Sequence, residues 1–428
     1  MNSIFKLLID SIFVFSVILI WIMLIYQFIL TLGGFLLRKK NKKKDNQKIK
    51  KFIFPGVSIL IPARNEEMVI ARLLEKIQGF DYPMDKLEII VINDGSEDKT
   101  ATIVSIMATQ DKRIKLINIP GTRSGKGKAR ALNLGLKYAL NEVIAVYDAD
   151  NLPEKSSLKK LCEALVSNQR LAAVTGKFRA YNKNKNLLTR FINIESVAFQ
   201  WIIQAGRWFF LKISFLPGTN FIIWKTAIEE VGGWNDEALT EDTELTLRLY
   251  QKGYLVKYLP TATTWEQEPE TINIWLKQRT RWARGNIYIL STYGKRVFRE
   301  RPNIMAVEIM NLFFLYYLFI FAILASDILF VLSLLKLVHI RVLGPYTVLW
   351  SLAFLLYLLE IFIALSFEKE DTPLAVLWIT LAYLTYTKLW IFVVLRSLYQ
   401  ETILKKERIW IKTERFSMEH IESNIKIQ

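Results

Sequence analysis

Two acidic motifs follow short runs of β-branched and aliphatic residues, which are typical of buried strands. Asp94 follows the run LEIIVIN and precedes a glycine, and Asp148 and Asp150 follow the run VIAVY. Carboxylates at positions i and i+2 of a strand end can reach one ligand, and their oxygens suit a hard cation such as Mg²⁺ or Mn²⁺. A helix cap explains an Asp-Gly turn equally well, and Asp-x-Asp is common by chance, so each motif alone is a weak signal.

A glycine- and lysine-rich loop lies between these two motifs. The stretch SGKGKARALNLGL covers residues 124–136 and brings Lys126, Lys128 and Arg130 to the start of a predicted helix. Positive side chains and the free amides of a helix N-terminus together favour a phosphate group. The spacing differs from that of a Walker A loop, so the pattern does not indicate an NTPase.

Acid–base chemistry in this chain falls to carboxylates. The sequence holds two histidines, His339 and His420, and its one cysteine, Cys162, excludes an internal disulfide. Glu241 and Asp242 begin an amphipathic helical pattern, and Asp242 has the chemistry of a general base that accepts a hydroxyl proton. The alternative is an acidic first turn that complements the helix dipole.

A fourth motif combines Gln278, Arg279, Arg281 and Trp282. At helical spacing Gln278, Arg281 and Trp282 share one face, whereas Arg279 is expected to point elsewhere. Arg281 can bind a diphosphate through two hydrogen bonds, and Trp282 offers a flat surface for a ring-shaped ligand. Arginine and tryptophan are also favoured in helices at a membrane interface, so this motif alone is ambiguous.

Short strand-like runs alternate with amphipathic helical segments from Val57 to about Trp265, and the fourth motif follows this stretch. This alternation predicts an α/β domain with a doubly wound, Rossmann-like sheet, whose ligands bind at the carboxyl ends of the strands. The motifs that follow strands are therefore expected to meet at one edge of the sheet.

Long apolar blocks flank this domain and predict a membrane protein, in agreement with a hydrophobic content of 52%. One block covers Ile4 to Leu37, and three follow, roughly Ala306 to Leu335, Pro345 to Phe367 and Pro373 to Leu395. Residues 38–51 carry nine basic residues and one Asp, which accounts for much of the net charge of +17. Such a run beside a span predicts a cytoplasmic position, with the N-terminus outside.

The side of the C-terminal tail stays open at this point. One span before the domain and three after it would put the tail outside, whereas its slight basic excess favours the inside. Asp327, Glu360 and Lys388 fall within the apolar blocks, which predicts either a polar path or mutual pairing. Two segments, Leu187 to Lys212 and Ile272 to Leu290, have the composition of helices that lie on a bilayer, or of amphipathic helices packed on the domain's own core.

The sequence therefore predicts six segments along the chain. These are a transmembrane anchor at 1–37, a basic linker at 38–51, an α/β domain at 52–270, an interfacial helix region at 271–302, transmembrane helices at 303–397 and a tail at 398–428.

The ordered motifs NDGS, DAD, TED and QRTRW, followed by apolar spans, resemble the processive family 2 glycosyltransferases, such as cellulose, chitin, hyaluronan and poly-N-acetylglucosamine synthases. The resemblance implies a GT-A fold and an inverting transfer of sugar from a UDP-sugar donor to a growing β-linked glycan. Cellulose synthases typically have a cysteine in the stretch that reads FLPGTN here, at residues 215–220. This departure weakens a direct cellulose assignment.

The resemblance also implies roles for individual residues. Asp94, Asp148, Lys128 and Arg281 would bind the UDP-sugar, Asp150 would bind Mg²⁺ or Mn²⁺, and Asp242 would be the base. The acceptor end of the glycan would contact Gln278, Trp282, Gly218, Thr219 and Glu241.

The implied enzyme sits in the plasma membrane with its catalytic domain in the cytoplasm, and it leaves room for accessory export or modifying subunits. UDP-glucose and a β-glucan are slightly favoured by the match QRTRWARG, with UDP-N-acetylglucosamine next. The alternatives are transfer of one sugar to a lipid, and a noncatalytic membrane scaffold that senses nucleotide sugar. Nucleic acid is not an expected partner, because the basic charge is concentrated beside an anchor.

Overall fold

The strand-like runs form one mixed sheet of eight strands. We describe residues 3–45, 53–121, 125, 127–297, 304–340 and 345–408 of a computed structural model. The strands are β1 (Val57–Ala63), β2 (Leu87–Asn93), β3 (Ile114–Asn118), β4 (Val143–Val146), β5 (Leu152–Pro153), β6 (Leu171–Ala180), β7 (Phe221–Trp224) and β8 (Leu255–Glu266). Lys126, the basic residues 46–51 and the tail beyond residue 408 lie outside the described residues.

The sheet has two halves with different strand directions. Its order is β3-β2-β1-β4-β7-β6-β8-β5. The first four strands are parallel, and β7 pairs antiparallel with both β4 and β6. β1, β2 and β4 are buried along almost their whole length, as parallel strands covered by helices on both faces must be. The carboxyl ends of β2 and β4 therefore face the same edge.

The helices account for the amphipathic and apolar segments. They are α1 (Ser3–Asp45), α2 (Ile70–Gln78), α3 (Thr100–Gln110), α4 (Lys128–Tyr138), α5 (Ser157–Val166), α6 (Leu187–Ala198), α7 (Gly206–Leu211), α8 (Lys225–Glu230), α9 (Glu241–Gln251), α10 (Ile272–Val297), α11 (Ile304–Phe313), α12 (Ile320–Leu334), α13 (Tyr346–Phe367), α14 (Pro373–Leu381) and α15 (Thr387–Leu398). Short π-helical segments join α6 to α7, α11 to α12 and α14 to α15, and another, Tyr399–Ile403, follows α15. Each of these pairs is therefore one continuous helix.

Four helices of the described chain are long and apolar enough to cross a membrane. They cover Lys6–Lys42, Ala306–Ser333, Val348–Phe367 and Pro373–Ile403. The predicted fold class, an α/β domain with about four candidate transmembrane helices, is confirmed.

The segment from α6 to α7 packs between the sheet and the anchor helix α1. A Cβ atom on Gly206 would overlap the backbone of Leu30, and one on Gly34 would overlap the carbonyl of Trp201. On the other side, Gln200 exchanges two hydrogen bonds with the backbone of Phe178 in β6, at 2.8 and 2.7 Å. The segment thus joins the α/β domain to α1 through close backbone contact.

The ionisable residues of the apolar helices are either paired with an opposite charge or buried. Lys388 pairs with Asp327 at 2.6 Å, so the mutual pairing expected for such residues is present for these two. Glu360 is fully buried within α13. In the middle of α11, Glu308 forms a buried ion pair with Arg207 of α7, which fixes α11 to the segment from α6 to α7.

Candidate functional site

Asp94 lies against the glycine-rich loop at the carboxyl edge of the sheet. It follows β2, its side chain is buried, and its Oδ1 accepts a hydrogen bond from the Gly125 amide at 2.7 Å. Burial raises the pKa of Asp94, although the amides of Gly125 and Gly127 and the charges of Arg64 and Arg130 oppose the rise. The end of β2 and the loop therefore form one wall of the site.

Lys128 lies at the centre of the site. Its Nζ donates to Asp148 Oδ1 at 2.5 Å and to the Gly218 carbonyl at 2.8 Å, and lies 4.0 Å from Glu241 Oε1. Burial opposes its charge, but the carboxylates of Asp148, Glu241 and Asp242 more than compensate and raise the pKa of Lys128. One permanent cation thus links three motifs that are far apart in the sequence.

The end of β4 is held by a network of short polar side chains. Thr219 Oγ1 accepts a hydrogen bond from the Asp148 amide at 3.0 Å and donates one to Asn151 Oδ1. Asn151 was not among the residues predicted for the site, although its place directly after Asp148 and Asp150 is a signal that could have identified it. The network fixes the direction in which the two carboxylates leave the strand.

Asp150 could bind a divalent cation together with a ligand. It is buried, at 5% exposure, whereas the Asp148 side chain is 32% exposed. Among the described residues, no three His, Cys, Asp or Glu side chains lie close enough to hold an ion alone. Mg²⁺ is often bound by one or two carboxylates together with substrate phosphates. The donor set of Asp148 and Asp150 fits that arrangement.

Glu241 and Asp242 begin α9 and face Lys128 across the site. Gly218, at φ 82°, lies so close that a Cβ atom there would be 3.0 Å from Asp242 Oδ2 and 3.3 Å from Lys128 Nζ. Asp242 Oδ1 accepts a hydrogen bond from the Thr243 amide at 2.7 Å, which leaves Oδ2 directed at the Gly218 loop. The loop and the carboxylate therefore enclose a space that a side chain at residue 218 would fill.

The two carboxyl groups hold their protons more tightly than ordinary ones. Burial, followed by the charge of Asp242, raises the pKa of Glu241 to about 7. Burial also raises the pKa of Asp242, against the opposing charges of Lys128 and Arg281. A carboxylate with a raised pKa is a stronger base near neutral pH.

Helix α10 brings the fourth motif to the same place. A Cβ atom on Gly285 would overlap the side chain of Thr240, so α10 packs directly on the residue before α9. The charge of Arg281 consequently acts on both Glu241 and Asp242. Trp282 is 36% exposed, and its ring is therefore accessible to a ligand.

Arg279 was expected to point away from the other residues of this motif, but its side chain lies against them. Its guanidinium lies 4.1 Å from the centroid of the Trp282 ring, and its Nη1 donates to Gln278 Oε1 at 3.2 Å. The Arg279 side chain is buried, and Glu195 of α6 binds its Nη2 at 2.9 Å. The prediction for Arg279 was wrong because residues three apart on a helix are neighbours, so the spacing itself places Arg279 beside Trp282.

Glu195 is the centre of a polar cluster that was not predicted. Its Oε2 accepts hydrogen bonds from Arg279 and from the hydroxyl of Tyr386, and its Oε1 accepts one from Trp390 Nε1 at 2.7 Å. The Trp275 Nε1 group donates to the Tyr386 hydroxyl at 2.9 Å. The cluster joins α6, α10 and the helix formed by α14 and α15, and Arg279 links it to the Trp282 ring.

Comparison with known proteins gives the family of the chain. Residues 58–232 match the model of Glycosyl transferase family 2. The chain is 43% identical to a probable glycosyltransferase of Bacillus subtilis, YdaM, over 95% of this chain and 98% of that protein. It is 32% identical to the poly-β-1,6-N-acetyl-D-glucosamine synthase of Staphylococcus epidermidis, over 58% of this chain and 57% of the synthase.

A solved structure shows the same fold. The mannosyltransferase PcManGT from Pyrobaculum calidifontis, in complex with GDP-Man and Mn²⁺, aligns with a TM-score of 0.54 and 17% identity, covering 88% of this chain and 99% of its own. The family match and the near full-length relative lead to one conclusion: the chain belongs to glycosyl transferase family 2.

Proposed function

We propose that this glycosyltransferase is an inverting enzyme that builds a β-linked polymer from a UDP-sugar and moves it into the membrane. The observation that carries the proposal is the arrangement around Lys128, where Asp148, Gly218, Glu241 and Asp242 meet at one edge of the sheet. This edge is where ligands of open α/β sheets bind.

The donor would lie along the ends of β2 and β4. In this proposal Asp94 and Asp148 bind the uridine portion, and Lys128 and Arg281 attract the diphosphate. Lys128 is already neutralised by carboxylates, so the donor competes with Asp148 for its charge. The Asp148 side chain is partly exposed, so a ligand can reach it.

Asp150, with Asp148, would hold Mg²⁺ or Mn²⁺, which neutralises charge on the departing diphosphate when it is bound. The hard oxygen donors of these side chains support this assignment. Thr219 and Asn151 hold the end of β4 through hydrogen bonds that do not involve the proposed ion.

Asp242 would act on the acceptor. Its carboxylate takes the proton of the terminal hydroxyl, and the hydroxyl oxygen attacks C1 of the donor sugar from the face opposite UDP. The C1–oxygen bond to UDP breaks, so an α-linked donor gives a β-glycosidic bond. Gly218, Thr219, Glu241, Gln278 and Trp282 would hold the acceptor end, and the space in front of the Gly218 loop supports this position.

N-acetylglucosamine is the sugar that the comparisons favour for the first test. The relatives at about one-third identity are named poly-β-1,6-N-acetyl-D-glucosamine synthases, but this chain aligns with 57% of such a protein. UDP-glucose, which the QRTRWARG match favoured slightly, is the second donor. We place the enzyme in the plasma membrane with the α/β domain in the cytoplasm, because basic residues follow the anchor helix.

The test is UDP release by detergent-purified protein with Mg²⁺ or Mn²⁺ and each UDP-sugar separately. Linkage-specific glycanases then digest the product. Polymer from UDP-N-acetylglucosamine is the expected result. A lipid that carries one sugar would mean that the enzyme glycosylates a lipid and makes no polymer. UDP binding without turnover of any donor would favour the sensing scaffold.

A further inference from the structure

The last apolar helix contacts the α/β domain at both of its ends. It runs without interruption from Pro373 to Ile403, through α14, a π-helical segment, α15 and a second π-helical segment. A helix of this length extends about 46 Å, and the hydrocarbon core of a bilayer is about 30 Å thick. If such a helix crossed the bilayer, its two ends would lie on opposite sides.

The loop that precedes the helix is fixed to the sheet. Glu368 pairs with Lys177 of β6 at 2.7 Å and also with Arg179 of the same strand. Glu370 pairs with Arg179 and, at 2.6 Å, with Lys183. The helix therefore starts beside the α/β domain.

The other end of the helix is fixed to α10. Glu401 pairs with Arg284 at 2.6 Å, and the Lys406 carbonyl accepts a hydrogen bond from Arg284 at 2.6 Å. The next residue after Arg284, Gly285, packs on Thr240 at the start of α9. Residues 401–408 therefore lie beside the site that contains Asp242, on the same side as the start of the helix.

Between its ends the helix keeps one face on the interfacial segments. Its buried residues recur mostly at helical spacing and are Ala375, Ile379, Ala382, Tyr386, Val393, Val394 and Ser397. Tyr386 and Trp390 bind Glu195 of α6, and Ser397 Oγ donates to the Thr280 carbonyl of α10 at 3.3 Å. The helix therefore contacts α6 and α10 along much of its length, and on another side Tyr383 packs against Phe354 and Tyr357 of α13.

The opposite face is apolar and exposed. It presents Leu374, Leu377, Leu384, Phe392 and Leu395. Lys388 extends from this side of the helix and pairs with Asp327 of α12, so its charge is matched where it meets a membrane-spanning helix. A helix with one apolar face and one face fixed to a protein domain has the form of an interfacial helix.

We infer that Pro373–Ile403 does not cross the bilayer but lies on its catalytic-side leaflet, with the apolar face of Leu374, Leu384 and Leu395 in the lipid. The chain then crosses three times, through α1, through the continuous helix of α11 and α12, and through α13. Residues 404–408 lie on the side of the α/β domain. The far end of α1, at Ile4, is then on the other side.

Sidedness of single cysteines tests this inference without any need for enzymatic activity. The background is Cys162→Ala, because Cys162 is the one native cysteine. Reporters are Glu407→Cys after the helix, Lys112→Cys on the surface of the α/β domain and Ile4→Cys at the far end of α1. Each is treated with a membrane-impermeant maleimide in intact cells and in inside-out vesicles.

Glu407→Cys is expected to follow Lys112→Cys in both preparations and to behave opposite to Ile4→Cys. Labelling of Glu407→Cys together with Ile4→Cys would overturn the inference. An epitope added after Gln428 gives the same readout by protease protection, should the Glu407→Cys variant not fold. Digestion of this epitope in intact cells would also contradict the inference that the chain crosses the bilayer three times.

Depth measurement separates an interfacial helix from a crossing one. Spin labels at Leu374→Cys, Leu384→Cys and Leu395→Cys are compared by accessibility to oxygen and to a nickel chelate in proteoliposomes. The outer two positions lie about 30 Å apart along the helix axis. Similar shallow depths are expected, and a steady change from one headgroup region to the other would overturn the inference.

Discussion

At the scale of single residues, the site is governed by one buried cation among acidic groups. Lys128 lowers the pKa of both Glu241 and Asp242, whereas burial raises both. The balance leaves the pKa of Glu241 at about 7 and that of Asp242 above its ordinary value. The ionisation of the proposed base is therefore tied to Lys128.

This balance predicts the pH dependence of turnover. The base acts in its ionised form, so kcat is lost as the pH falls, and the raised pKa places this loss above the ordinary range of an aspartate. Lys128→Gln removes a charge that holds the two carboxyl pKa values down, so the acidic limb of the kcat profile should move to higher pH. Lys137→Gln on the exposed surface of α4 is the control, and a limb that stays in place or moves down would contradict the prediction.

A glycine substitution tests the space in front of Asp242. Gly218→Ala puts a Cβ atom 3.0 Å from Asp242 Oδ2, and we expect about a 100-fold loss of kcat, because small displacements of a reacting group are costly. Gly253→Ala is the matched control, since Gly253 has the same φ of 82° and nothing within 4 Å of its added Cβ. Equal activities of the two variants would contradict an effect of the contact between residue 218 and Asp242.

At the scale of elements, α10 depends on the cluster around Glu195 for the position of Trp282. The planar guanidinium of Arg279 lies over the Trp282 ring and binds Glu195 at the same time. A cation over an aromatic ring contributes about 2 kcal/mol when it is shielded from water. Arg279 is therefore a positioning residue for the proposed acceptor surface.

Arg279→Gln is expected to shorten the product and lower polymer synthesis about tenfold, as roughly 1.4 kcal/mol of lost interaction would. The KM for the donor should stay unchanged, because the donor site is at the strand ends. Arg279→Lys should restore part of the product length, and Lys277→Gln on the exposed side of α10 is the control. A raised donor KM with normal product length would contradict a role at the acceptor.

Strand ends and helix ends could be predicted from the sequence, whereas side-chain partners across elements could not. The runs before Asp94 and Asp148 are purely apolar, so both strands and their polar ends follow from the pattern. Glu195 gave no such signal, because its partners Arg279 and Tyr386 lie 84 and 191 residues further along the chain. For the same reason Asp242, Lys128 and Gly218 were related by resemblance and not by spacing.

At the scale of the whole molecule, ion pairs fix the membrane helices to the α/β domain. The Glu368 side chain is 8% exposed and binds Lys177, Arg179 and the indole nitrogen of Trp201. Burial opposes its charge, but Lys177 and Arg179 outweigh burial and lower the pKa of Glu368. Its stabilising effect is thus present above the ordinary glutamate pKa and is lost as the pH falls below it.

Glu368→Gln leaves two buried cations with fewer partners, so we expect a loss of about 3 kcal/mol in stability. A lower midpoint of thermal unfolding in detergent at neutral pH would show it, and the difference from the native chain should shrink in acid. Glu237→Gln, at an exposed position, is the control. Identical midpoints for the two variants would mean that the loop before Pro373 does not hold the domain.

The apolar blocks illustrate what composition can predict at this scale. Length and hydropathy located all four long helices, but both a crossing helix and an interfacial one can be apolar over 20 residues or more. The difference lies in the ends, where Glu368 and Glu401 find their partners on the domain. Segment bounds such as 52–270 stay predictions, because helices from both sides of these bounds pack together.

The most direct test of the central claim is Asp242→Asn, measured by UDP release and by UDP binding with the same purified protein. Asp85→Asn, an exposed carboxylate at the other end of the sheet, is the matched control. A general base should contribute about 100- to 10,000-fold to the rate. The expected result is that Asp242→Asn binds UDP like the native chain but releases UDP from no donor, while turnover unchanged from that of Asp85→Asn would contradict the assignment of Asp242 as the base.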